Sequence, residues 1–163
     1  SLNFDSQTLV DLLQVWRDAC GGREMPARSD LDPLTIGTVL LPYILLFDVE
    51  YQPKPRYRWR LIGTHFVTVL KRDSTGKYWD DLYSSDALAA MSSRADWVLQ
   101  HRAPLRSTGH VTSKDTNRNI DAFTDVEGLY MPLSSDGETI DMIMMGAIYT
   151  SRQSPQDKSK SID

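Results

Sequence analysis

At 163 residues with a formal net charge of −4, the chain has the size of one domain. Apolar residues at 40% and charged residues at 25% give the balance of a globular protein and exclude collagen-like and wholly disordered classes. The acidic balance argues against a nucleic-acid partner, because phosphate binding draws its affinity from clustered Lys and Arg.

The first predicted element is an amphipathic helix within residues 1–22. Leu9, Leu12, Leu13, Trp16 and Cys20 recur at helical spacing as one stripe. Asp5 or Ser6 can cap its start, and Gly21-Gly22 supplies a left-handed end. Residues 23–37 read as a structured loop with one helical turn. Asp32-Pro33 marks that turn's start, so Asp30 and Asp32 read as capping and ion-pairing groups before a catalytic pair.

Residues 42–50 form the first strand, apolar on both faces and therefore covered on both sides. After a turn at Pro53 and Pro55, residues 56–63 alternate: Tyr57, Trp59 and Leu61 point inward, Arg56, Arg58 and Arg60 outward. Lys54 extends that basic set, which reads as one exposed strand face. Short helical pieces follow around Phe66 and Tyr78, with Arg72 to Gly76 as a turn between them. That turn resembles an anion nest with Lys71 and Lys77 beside it, although capping by Asp73 and Thr75 explains it more simply. Ser84 or Ser85 then caps a longer helix to about His101. Strands are expected at 105–113, 119–132 and 139–149, and residues 151–163 read as a flexible polar tail.

Strands flanking a helical insertion indicate an α+β domain with a five-stranded antiparallel sheet. The inserted helices cover one face. The N-terminal helix, the only other amphipathic element, covers the other, from its own chain or from a partner copy. Gly22-Arg23, Pro26-Ala27-Arg28, Asp30 to Pro33, Leu41-Pro42, Tyr57 to Thr64, Arg72 to Gly76 and Pro132 to Gly137 occur in an order that resembles the PAS-like family of short alphaproteobacterial proteins. Lys71 departs from that pattern, which has Gly there. The resemblance implies a PAS-like domain over residues 23–150 with a sensory or adaptor role, acting through a regulatory protein partner.

No apolar run approaches the ~20 residues of a membrane span, and the lone Cys20 cannot close an intrachain disulfide, so a cytoplasmic protein is expected. The first residue is not Met, so the start reads as a processed or trimmed end, and the sequence leaves open whether N-terminal residues are missing. The chain shows no G-x-S-x-G, P-loop or H-E-x-x-H motif, and no catalytic residue is assigned. His65, His101 and His110 have no metal-site spacing. Haem is not expected, since His101 has no second ligand pattern. A flavin is not expected either, since no Cys follows the first strand pair. Tyr57, Trp59, Phe66, Tyr78, Trp79 and Trp97, with His65 and Met144, form the candidate ligand pocket; a filled aromatic core is the competing reading. Leu9, Leu12, Leu13 and Trp16 form the docking stripe, through which a homodimer is expected. A small hydrolase or isomerase using Asp73 with His65 is the enzymatic alternative.

Overall fold

The computed structural model describes residues 2–111 and 124–151. Helices α1 (Gln7–Cys20) and α2 (Pro33–Ile36) precede a hairpin of β1 (Ile44–Glu50) and β2 (Arg56–Ile62). Helices α3 (Thr64–Leu70) and α4 (Ser85–His101) then lead into β3 (Leu105–Val111), β4 (Thr124–Leu133) and β5 (Met142–Ser151). The five strands form one antiparallel sheet in the order β2-β1-β5-β4-β3, so the first and last strands lie side by side. This is the expected α+β architecture. The expected tail beyond Ser151 and the inner ends of the 105–113 and 119–132 strands lie outside the described residues.

Local chemistry sets the element ends. Gly21 closes α1 at φ 55°, a left-handed conformation that costs glycine little. Asp32 Oδ1 accepts from the Thr35 N–H at 2.7 Å, and Ser84 Oγ accepts from the Ala87 N–H at 3.4 Å. β1 begins two residues later than expected because Leu41–Tyr43 forms a 3-10 turn around Pro42. The Arg72–Gly76 turn is hooked to the free edge of β2: Gly76 N–H donates to the Trp59 carbonyl at 2.7 Å, and Trp59 N–H to the Lys77 carbonyl at 3.0 Å.

One expectation for β2 needs correction. Leu46 pairs with Leu61 but Phe47 pairs with Trp59, which leaves Arg60 as the extra residue of a bulge. The alternation slips there. Leu61, expected inward, is 39% exposed, and Ile62 takes the inner position instead.

Both faces of the sheet are covered. On one side Phe47 packs against Trp79 at 4.5 Å between ring centroids, and Tyr57 and Trp59 meet the same indole at 4.8 and 5.2 Å. Helix α4 closes over this side with Ala95 and Val98 fully buried, and the Tyr57 hydroxyl donates to Asp96. Helix α1 lies on the other side, on β4 and β5 of its own chain. Leu9 and Leu12 are fully buried there, and Trp16 Nε1 donates to the Pro132 carbonyl at 2.9 Å. Burying each large apolar side chain contributes about 1.5–3 kcal/mol to docking the helix. The approach is close. A Cβ at Gly146 would stand 2.7 Å from Leu12 Cδ1 and 2.9 Å from Leu9 Cδ2. The Ser6 side chain makes no cap; instead the Asp5 and Ser6 N–H groups each donate to the Glu127 carboxylate at 3.0 Å.

Candidate functional site

Between α4 and the concave face of the sheet lies a cavity of about 280 Å³. Its floor comes from alternate residues of neighbouring strands: Leu45 of β1, Met145 of β5, Tyr130 of β4 and Ser107 of β3 share one face by register. Ala87, Ala90, Met91 and Arg94 of α4 form its roof. Leu70, Arg72, Ser74 and Tyr83, from the segment between β2 and α4, close one side.

Three phenols gather at this cavity from three separate elements. Burial pushes the pKa of Tyr83, Tyr130 and Tyr149 above the usual phenol range, and Tyr83 and Tyr149 each stand close enough to Tyr130 to feel its charge. They therefore stay protonated as hydrogen-bond donors. The Tyr83 hydroxyl already accepts from Trp59 Nε1 at 3.0 Å, which leaves its own proton to be given elsewhere. Burial also dominates at the Tyr130 phenol, with Arg94 and Ser107 as its polar neighbours.

Of the expected pocket residues, Trp59 lines this cavity. Tyr57, Phe66 and Trp79 are buried core residues. Tyr78 lies outside, its hydroxyl on Glu50 at 3.0 Å and its ring under the Arg56 guanidinium at 3.5 Å. Trp97 stacks on His101 at 4.1 Å, and His101 Nδ1 contacts the Trp97 carbonyl at 2.9 Å, at the far end of α4. Met144 is a correction: it pairs with Leu46 on the face beneath α1, while Met145 reaches the cavity. Both faces of β5 are apolar, so alternation alone did not say which side held the space. His65 sits behind the wall, its ring 4.8 Å from Tyr43 and 6.4 Å from Tyr149. Its Nε2 is buried with no hydrogen-bond partner among the described residues, and burial pushes its pKa below 6.5.

The catalytic pairing of Asp73 with His65 is not formed. Asp73 Oδ1 accepts from the Thr75 N–H at 2.9 Å and from its hydroxyl, which makes a closed turn. Cys20 donates to the Trp16 carbonyl at 3.3 Å, on the sheet face opposite the cavity, and burial raises its pKa. Among the described residues, no three His, Cys, Asp or Glu side chains gather as a metal site, and no helix is long and apolar enough to cross a membrane.

The model of the PAS domain family matches residues 4–149. The chain belongs to that family. Among solved structures, this PAS domain is similar to one from Colwellia psychrerythraea, with a TM-score of 0.50 at 8% identity, over 75% of this chain and all of that one. It is also similar to the LOV protein of Rhodobacter sphaeroides, with a TM-score of 0.50 at 13% identity, over 93% of this chain and 71% of that one. At such identities the likeness shows the fold. None of the curated proteins compared matches the chain. PAS domains are generally sensory, non-catalytic modules.

Proposed function

We propose that this PAS domain is a sensory module that holds a small ligand between α4 and the concave face of its sheet and signals through a protein partner. The cavity carries this reading, because apolar walls surround the converging hydroxyls of Tyr83, Tyr130 and Tyr149. That combination of apolar lining with a few placed polar groups is typical of small-molecule sites. Its 280 Å³ lies just under the usual ~300–1,000 Å³, so the ligand is a small one. A ligand that fits one position of α4 better than another shifts the population of the two. Native mass spectrometry of freshly purified protein, with and without Ala87→Phe, tests the reading. A retained small molecule that the variant loses is the expected result. Identical bare masses, with no small apolar probe stabilising either protein, would argue for a filled-core interaction protein.

A homodimer through α1 is the second part of the proposal, and it has a structural condition. The apolar stripe of α1 rests on its own sheet, while its outward side carries Gln7 bonded to Asp11 at 2.8 Å and Gln14 bonded to Asp18 at 2.7 Å. Dimerisation through the stripe thus requires exchange of the helix between copies. Light scattering on the eluted full chain, compared with Leu9→Asp, reads this directly. A monomer at all concentrations would remove the exchanged dimer.

A further inference from the structure

We propose that the ligand of this cavity is a small monocarboxylate with an apolar body, its carboxylate held by Arg94; the proposal rests on the cavity being a ligand site. Arginines of this chain usually meet a carboxylate. Arg23 pairs with Asp30 at 2.7 Å, Arg56 with Asp80 at 3.0 Å, Arg58 with Asp48 at 3.1 Å, Arg102 with Glu24 at 2.9 Å and Arg106 with Glu127 at 2.8 Å. The two that line the cavity, Arg72 and Arg94, make no ion pair among the described residues. Arg17 and Arg28 are also unpaired, but Arg17 is exposed to water and Arg28 donates to the Leu31 carbonyl at 2.6 Å.

Arg94 is half-buried and reaches across the cavity to β3, where a Cβ at Gly109 would stand 3.4 Å from its Nη2. A guanidinium carries five donors and no acceptor, and its charge is costly to leave unpaired where water is scarce. Asp86 is the cavity's carboxylate. It stands in the first turn of α4 and is exposed, about 12 Å along the helix axis from Arg94, so water and not Arg94 satisfies it. Arg94 hydrogen-bonds the Tyr130 hydroxyl, which Ser107 also meets. Among the described residues the cavity therefore offers donors and two guanidiniums, Arg72 and Arg94, without a carboxylate beside Arg94, while Leu45, Ile62, Leu70, Met91, Val126 and Met145 accept an apolar body. A planar carboxylate satisfies a guanidinium with paired, charge-assisted hydrogen bonds.

Phenylacetate and its neutral isostere phenylacetamide test this by calorimetry on the full chain. The acid is expected to bind at least tenfold more tightly than the amide, and Arg94→Gln is expected to abolish that difference. Thermal unfolding of the variant checks that it still folds, and the acid–amide comparison on the unaltered chain needs no variant. Equal binding of acid and amide, or a preference that survives in Arg94→Gln, overturns the carboxylate and leaves the cavity as a ligand site. If neither probe binds, the carboxylate again falls. The cavity reading falls with it only if native mass spectrometry shows no retained molecule that Ala87→Phe removes.

Discussion

Lys71 occupies the left-handed region at φ 51°, where an L side chain crowds its own carbonyl. This is the position at which the family resemblance places glycine. Arg102 has nearly the same backbone at φ 53°, and its guanidinium bonds the Glu24 carboxylate at 2.9 Å and the Glu138 carbonyl at 2.6 Å. Arg102→Gly relieves that backbone but loses these bonds, and is expected to lower Tm in a thermal melt. Asp136 shows a carboxylate under local control. The Thr139 and Glu138 N–H groups and the Ser134 hydroxyl bring its pKa down to about 2 from the usual 3.8. A depressed carboxylate contributes stability that is complete above the unfolded pKa and is lost as pH falls through the folded one. The Tm advantage of the native chain over Asp136→Asn is thus expected to hold at pH 6 and to shrink between pH 4 and pH 2.

At the scale of elements, α1 is held by its stripe and by Glu127. Burial works against the Glu127 charge, but the N–H groups of Asp5 and Ser6 and the Arg106 guanidinium outweigh it and hold the carboxyl below its usual range. Glu127→Gln keeps one acceptor and loses the charge, so α1 is expected to lift more often. Trypsin cleavage after the exposed Arg17, followed over time, is expected to accelerate several-fold, and an unchanged rate would mean that the stripe alone holds the helix. Gly146→Val acts on the same contact from beneath. Its branched side chain meets Leu9 and Leu12 inside van der Waals distance and is expected to cost about 1–3 kcal/mol in urea unfolding.

For the whole molecule, the architecture was legible because its signals are local. Asp32, Ser84 and Gly21 mark helix ends by their own chemistry, and apolar patterns on both faces of β1 and β5 demanded two covers. The site was much less legible. Tyr83, Tyr130 and Tyr149 have no shared spacing; strand register sets Tyr130 and Tyr149 on one face, and the segment between β2 and α4 brings Tyr83 to them. Leu61 was misread because a bulge leaves no mark on period-two alternation, and Tyr78 because its ring turned to Arg56 instead of inward. Met144 and Met145 differ by one residue, and nothing before the fold says which face is hollow. Removing residues 1–20 tests the two-cover logic. It uncovers Leu46, Met131 and Met144 and forfeits four large side chains of burial, about 6–12 kcal/mol, comparable with a whole domain's stability. The shortened chain is expected to unfold or self-associate, as read by circular dichroism and light scattering.

The Asp5 to Glu127 contact also sets an order of events in time. The helix that closes the outer face is made first, and its anchor follows 122 residues later. At ~5–20 residues per second, the stripe of Leu9, Leu12, Leu13 and Trp16 waits roughly 6 to 25 seconds for its surface to be synthesised. During that interval it is an uncovered apolar segment on a growing chain. Synthesis therefore passes through a stage, avoided when the finished chain refolds, in which other proteins can reach these residues first.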